Sequence, residues 1–300
     1  VYSTNDAFMV LSMGVLHPSD EKLGKLTIIN AVTKQSSVII DTMQRPVHMS
    51  VGDLNNDKLD DLVISEFGNN SGQLLWYENE SDFKYKRHVL RPLPGSTRTE
   101  LHDFNDDGQL DIMVLMAQAD EGMFIYFNNG NGGFTEKRIL QFSPAHGSNY
   151  FELADFNRDG HLDILATNGD NGDYFSPILK PYHGVRIYMN DGKNNFEQTT
   201  FLPANGVCKA MARDFDGDGD LDIASISYFP DYDKRPQESF IYFENRGDLS
   251  FKPYSFPQVT AGRWLTMEAA DIDADNDIDI ILGNCMFSLG YVPPALMQKW

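Results

Sequence analysis

An acidic nonapeptide recurs five times along this chain, and no other feature constrains its fold so tightly. It reads D-L-N-N-D-K-L-D-D from Asp53, D-F-N-D-D-G-Q-L-D from Asp103 and D-F-N-R-D-G-H-L-D from Asp155. It returns as D-F-D-G-D-G-D-L-D from Asp214 and D-I-D-A-D-N-D-I-D from Asp271. The first aspartates lie 50, 52, 59 and 57 residues apart. A repeat of this length is one supersecondary unit that buries its apolar surface by stacking on its neighbours. Four short strands with their turns fill the period, which is one blade of a β-propeller.

The stretch after Asp103 shows the unit. Residues 111–117 form an apolar strand directly after the acidic loop, and 122–128 form a second. The turn N-G-N-G-G follows, with residues that tolerate positive φ. Strands over 134–140 and 149–154 complete the blade and lead into the loop at Asp155. Segments L-L-W-Y-E-N (74–79), V-R-I-Y-M-N (185–190) and F-I-Y-F-E-N (240–245) repeat the strand after the loop strand, each with an aromatic restart at Phe83, Phe196 or Phe251. Residues 7–50 carry three similar strands without such a loop before them. The expected fold is all-β, a β-propeller of four-stranded blades, with about five and a half blades visible in a six- or seven-bladed ring. It is read as a single propeller domain over 1–300, a fragment or excised part of a longer chain. A β-sandwich with metal-binding turns is the rival, but sandwiches do not repeat one four-strand unit with its loop in one fixed place.

Oxygen side chains at positions 1, 3, 5 and 9 are what a hard cation such as calcium requires. They are Asp53, Asn55, Asp57 and Asp61; Asp103, Asn105, Asp107 and Asp111; Asp155, Asn157, Asp159 and Asp163; Asp214, Asp216, Asp218 and Asp222; and Asp271, Asp273, Asp275 and Asp279. Carboxylates converging on a tight turn repel one another unless a cation sits among them. About five calcium ions are expected. An EF-hand would need Glu at position 12, where this chain has Ile64, Val114, Ala166, Ser225 and Leu282.

Charge agrees. The chain has 300 residues and a net charge of −20, and the five loops hold 21 of its 44 acidic residues. Five divalent cations would halve the imbalance, so bound metal accounts for the acidity better than a basic partner does. Nucleic acid is disfavoured, since phosphates need a positive surface. Two cysteines, Cys208 and Cys285, make no disulfide scaffold; they could be neighbours, and two buried thiols are expected. No run of eighteen apolar residues suggests a membrane span. Millimolar calcium outside the cytoplasm points to an extracellular, cell-surface or periplasmic location.

The pattern D-x-[DN]-x-D-G-x-x-D followed by an apolar strand resembles the VCBS-type, FG-GAP-related repeat family, whose relatives include integrin α-subunit propellers. The resemblance covers roughly residues 45–285. It implies calcium bound by the side chains above plus the main-chain carbonyl at position 7, here Leu59, Gln109, His161, Asp220 and Asp277. Within a blade it places the calcium loop between the first and second strands, the A–B loop. Lys58 and Asn276 depart from the glycine at position 6, so the first loop is expected to bind weakest. Only Phe67-Gly68 echoes the Phe-Gly…Gly-Ala-Pro signature, which leans toward the bacterial-type branch.

The resemblance also implies that partners meet the face opposite these loops. Two long connections fall there, 168–183 and 228–239. Their aromatics, Tyr174, Phe175, Tyr182, Tyr228, Phe229 and Tyr232, are candidate ligand contacts, because exposed aromatics with a polar handle serve recognition. Counting back five from each loop aspartate gives His48, Arg98, Tyr150, Lys209 and Thr266; counting back three gives Ser50, Glu100, Glu152, Met211 and Glu268. Alternation puts both sets on one side of the strand, which makes His48, Arg98, Tyr150 and Lys209 further candidates unless they pair between blades as structure.

No catalytic signature stands out: there is no G-x-S-x-G elbow, H-E-x-x-H helix or phosphate loop. The reading is a calcium-stabilised extracellular binding module for a protein or glycan, with further domains of the same polypeptide as the other partners to expect. A polysaccharide lyase or hydrolase using channel residues, and a passive spacer, stay open as alternatives.

Overall fold

The strands that directly follow the first four acidic loops are buried along their whole length, whereas the one after the fifth is half-buried to exposed. In the computed structural model, which describes residues 2–3, 7–81, 83–172, 178–286 and 290–300, the four buried strands are β6 (Asp61–Glu66), β10 (Asp111–Met116), β14 (Asp163–Asn168) and β18 (Asp222–Ser227). Their sequences are near-continuous apolar runs, as expected of strands covered on both faces. Each pairs on one side with the strand leading into its loop: β5 (Pro46–Gly52), β9 (Ser96–His102), β13 (Ser148–Ala154) and β17 (Val207–Arg213). On the other side it pairs with β7 (Gln73–Asn79), β11 (Gly122–Asn128), β15 (Gly184–Asn190) or β19 (Phe240–Asn245).

Outer strands β8 (Tyr85–Arg91), β12 (Phe134–Gln141), β16 (Phe196–Pro203) and β20 (Phe251–Tyr254) complete these four sheets. They alternate polar with apolar side chains, and are mostly exposed, because one face meets solvent. A fifth four-stranded sheet comes first in the chain: β1 (Tyr2–Ser3), β2 (Ala7–Ser12), β3 (Gly24–Asn30) and β4 (Ser36–Met43). The last sheet has two strands, β21 (Trp264–Ala270) and β22 (Asp279–Asn284). All pairings are antiparallel, and each four-stranded sheet is a simple meander of consecutive strands. The fold is therefore all-β, a β-propeller of four-stranded blades. Among the described residues no helix is long and apolar enough to cross a membrane.

Two compact units divide the chain, Val1–Pro144 and Ala145–Trp300. In the first, Leu62, Ile64, Leu75 and Tyr77 of the second sheet pack with Met9, Leu26 and Met43 of the first. Val63, Leu74 and Trp76 on its other face pack against Ile112, Val114, Met116 and Phe124 of the third. In the second unit, Leu165, Val185 and Ile187 meet Ala210, Ile223 and Phe243, and Met211, Ala224 and Ile226 meet Val259 and Met267 of the last sheet. Apolar area removed from water between successive blades thus does the work of a single core. The acidic loops contribute: Leu54 and Phe156, each at position 2 of its loop, are buried in these interblade clusters.

Candidate metal centres and ligand face

Position 1 organises each acidic loop through backbone amides. The N–H of residue 6 donates to its Oδ2: Lys58 to Asp53 at 2.8 Å, Gly108 to Asp103 at 2.7 Å, Gly160 to Asp155 at 2.9 Å, Gly219 to Asp214 at 3.0 Å and Asn276 to Asp271 at 3.1 Å. The position-5 aspartate accepts the N–H of residue 7 at 2.8–3.1 Å in every copy. In the first three loops the Nδ2 of Asn55, Asn105 or Asn157 donates to the position-5 carboxylate, leaving its Oδ1 turned to the backbone N–H of that residue.

Two positions in every loop adopt positive φ. Position 6 was legible from its glycines; position 4 was not. Residues 4 and 6 are Asn56 (61°) and Lys58 (71°), Asp106 (59°) and Gly108 (85°), Arg158 (60°) and Gly160 (89°), Gly217 (75°) and Gly219 (97°), and Ala274 (63°) and Asn276 (74°). Only the Asp214 loop has glycine at both. The left-handed region costs an L-residue such as Lys58 or Ala274 about 1 kcal/mol or more.

The position-9 aspartate anchors the loop to its sheet. Asp61, Asp111, Asp163 and Asp222 are fully buried. Their Oδ2 atoms accept the N–H of Leu54, Phe104, Phe156 and Phe215 at 3.0–3.2 Å. Their Oδ1 atoms accept the N–H of Asn79, Asn128, Asn190 and Asn245 at 2.7–2.8 Å. Burial pushes the carboxyls of Asp61, Asp111 and Asp163 above the usual carboxylate range in spite of these bonds, and neighbouring aspartates push the same way. Asp279 is half-buried and accepts the N–H of Ile272.

Those four asparagines are residues that sequence reasoning passed over. Each ends the strand after the loop strand. Each Nδ2 donates to the position-8 carbonyl (Asp60, Leu110, Leu162 or Leu221) at 3.0–3.2 Å, and each Oδ1 accepts the N–H two residues on. Asn128 also donates to Leu54 O at 2.7 Å, tying the third sheet to the first loop. The signal was in the motifs Y-E-N, Y-F-N, Y-M-N and F-E-N.

The donor set fits a hard divalent cation. In the Asp214 and Asp271 loops the carboxylates of positions 1, 3 and 5 place oxygens within 4.8 Å of one another. Among the described residues no lysine or arginine forms an ion pair with position 1, 3, 5 or 9 of any loop; Arg158 instead crosses to the position-7 side chain of Asp220 at 2.7 Å. Asp277 is raised by Asp275 beside it, the mutual repulsion a cation would relieve.

The opposite face differs from expectation. Tyr228, Phe229 and Tyr232 are buried, where the sequence reading has them exposed. Arg263 stacks on Tyr228 and Phe229, and Trp300 lies 5.9 Å from Tyr232 between ring centroids. The segment also closes on Glu238, which accepts from Asn205 Nδ2 and pairs with Arg235 at 3.1 Å. Tyr182 is half-buried beside the rings of His146 and His183; Tyr174 and Phe175 lie outside the described residues. Ile178 and Leu179 are exposed.

The polar side chains of the inner strands pair from blade to blade. The Thr99 N–H donates to His48 Nδ1 at 3.2 Å, and Arg98, ion-paired with Glu100, lies 3.4 Å from His48 Nε2. Lys209 pairs with Glu268 at 2.7 Å while its ammonium sits 5.2 Å from the Tyr150 ring centroid. Cys208 and Cys285 are free and half-buried.

These repeated loops on repeated meanders define a repeat β-propeller module. The FG-GAP-like repeat pattern matches residues 53–114, 103–166 and 214–282, more than half of the chain, and the chain belongs to that family. It is similar to the T-cell immunomodulatory protein homolog of Plasmodium falciparum, 28% identical over 182 residues, and to that of Plasmodium yoelii yoelii, 26% identical over 212 residues. The matches cover 56% and 59% of this chain but 23% and 29% of those proteins, so the chain spans about a quarter of the curated relatives it matches. Among solved structures it shares 9% identity and a TM-score of 0.43 with a Bombyx mori beta-fructofuranosidase, over 85% of this chain and 61% of that one. It shares 14% identity and a TM-score of 0.39 with a Bacillus licheniformis rhamnogalacturonan lyase, over 89% and 59%.

Proposed function

We propose that the chain is a calcium-stabilised extracellular binding module for a protein or glycan. The observation that carries this is the fivefold loop in which carboxylate and amide oxygens gather while, among the described residues, no lysine or arginine pairs with position 1, 3, 5 or 9. Bound calcium would supply the missing positive charge, held by the side chains of positions 1, 3, 5 and 9 and the position-7 carbonyl. The chain's own residues do the rest: position 1 gathers the amides, and position 9 bolts the loop to the sheet. Calcium at the millimolar levels outside cells suits such loops, and the relatives' name, which speaks of T-cell immunomodulation, sits with recognition rather than catalysis.

The partner surface centres on residues 178–182, where Ile178, Leu179 and Tyr182 combine exposed apolar area with an aromatic. Patches of this kind on a rigid scaffold mark interaction sites. Metal analysis after dialysis in millimolar calcium tests the first half of the reading: about one ion per loop is expected, and fewer than three per chain would overturn it. Binding of a cell-surface extract by wild type but not by Tyr182→Ala, in calcium, tests the second.

A further inference from the structure

A cleft of about 620 Å³ lies between strand β4 of the first sheet and strands β7 and β8 of the second, within the N-terminal unit. Its size is that of a small-molecule site. Glu66, the last residue of β6, lies at its floor and is 3% exposed. The carboxylate accepts the N–H of Gln44 at 3.1 Å and takes part in no ion pair among the described residues. A buried acid of this kind costs stability unless something repays it, and an apolar residue would end the strand more cheaply.

The surroundings are built to present polar groups. Arg87 Nη2 donates to Gln73 Oε1 at 2.9 Å, and Gln44 Nε2 donates to Ser71 Oγ at 2.6 Å. The carboxylate of Asp20 accepts the backbone N–H of Asn70 and of Ser71, both at 2.8 Å. Those bonds tie the β2–β3 connection, which carries the lining residue Lys22, to the turn between β6 and β7. Lys22 and Arg87 balance Glu66 and Asp41, so the lining carries no net formal charge.

A lining with two cationic and two acidic side chains favours a ligand without net charge. An anion would meet Glu66 at the floor, and a cation would meet Arg87 and Lys22. A lipid would cover the exposed charges of Lys22, Asp41 and Arg87 without giving them a partner. Hydroxyl groups, each both donor and acceptor, satisfy all of these groups at once, while Val38 and Ile40 offer an apolar wall to C–H faces. We propose that this cleft binds a neutral saccharide. The inference rests on the reading of the chain as a binding module but places this ligand away from Tyr182.

The test is an array of neutral, sialylated and sulfated oligosaccharides probed with wild type, Glu66→Gln, Arg87→Ala and Tyr182→Ala. A neutral glycan should bind wild type and Tyr182→Ala alike. Glu66→Gln and Arg87→Ala should each weaken it roughly tenfold, the loss of one charged hydrogen bond. Arg87 is exposed, so its variant keeps the wild-type melting point and decides the matter should Glu66→Gln fold poorly. Absence of any neutral hit, or binding of acidic glycans alone, overturns the proposal. A neutral hit lost in Tyr182→Ala and kept in Arg87→Ala also overturns it, yet leaves the binding-module reading standing.

Discussion

Arg263 lays its guanidinium on the ring of Tyr228, with 3.6 Å between the guanidinium carbon and the ring centroid, and its Nε donates to the Tyr228 carbonyl at 3.1 Å. The arginine is 2% exposed. A cation taken out of water must be repaid, and stacking plus the hydrogen bond do so here. Tyr228 therefore belongs to the framework. Tyr228→Ala should cost about 3 kcal/mol in chemical denaturation, against less than about 1 kcal/mol for the half-buried Tyr182→Ala. Equal small losses would return Tyr228 to an open surface.

Calcium should govern stability. Ligand that binds only the folded chain stabilises it by linkage. A chelator should lower the melting midpoint clearly, and identical midpoints with and without chelator would show that the loops are not structural metal sites.

The five loops should not be equal. The Asp214 loop has glycine at both left-handed positions, whereas Lys58 and Ala274 hold positive φ with a side chain. Lys58→Gly and Ala274→Gly should each stabilise by roughly 0.5–1 kcal/mol. Glycine at the matching positions Gly108, Gly160 and Gly217 has no atom within 4 Å of a built Cβ, so the gain comes from backbone conformation and not from relieved crowding. Asp218→Ala should likewise cost more than Asp57→Ala; equal melts for that pair would refute the ranking.

Asn128→Ala removes two donated bonds, to Leu54 O and Leu110 O, and one accepted from Gly130 N–H. Buried carbonyls left without donors should cost about 2–3 kcal/mol. The loss should be the same in chelator, because these bonds belong to the sheet. A loss seen only with calcium present would assign Asn128 to the metal site instead.

His183 predicts an acid limit. It is 2% exposed, neither ring nitrogen makes a hydrogen bond among the described residues, and burial, aided by Lys180 and Arg186, lowers its pKa to about 4. Because the folded pKa is below the unfolded value of about 6.5, its contribution is complete above that value and is lost as pH falls toward about 4. The loss reaches about 3 kcal/mol at most. His183→Phe should flatten the stability profile between those limits; an unchanged profile would show that another group sets it.

Repetition made much of this protein legible as a string. Five nonapeptides at near-constant spacing specify the blade, because a metal loop, a buried apolar strand and a hairpin are all local in sequence. The strands read over 111–117, 122–128 and 134–140 coincide with β10, β11 and β12 to within a residue. The cation-ready set at positions 1, 3, 5 and 9 follows from the same locality. Partnership over distance was not legible. Nothing in the order of residues says that Arg263 covers Tyr228, that Trp300 reaches Tyr232, or that His48 is met by Thr99 and Arg98 from the next blade. Aromatics in a long polar connection look exposed until a cation 35 residues away is found stacked on one of them. The left-handed turn at position 4 was hidden as well, since Asn56, Asp106, Arg158 and Ala274 share no side-chain type. Local chemistry writes its pattern into neighbouring residues; packing between blades is decided only when the chain brings distant segments into contact.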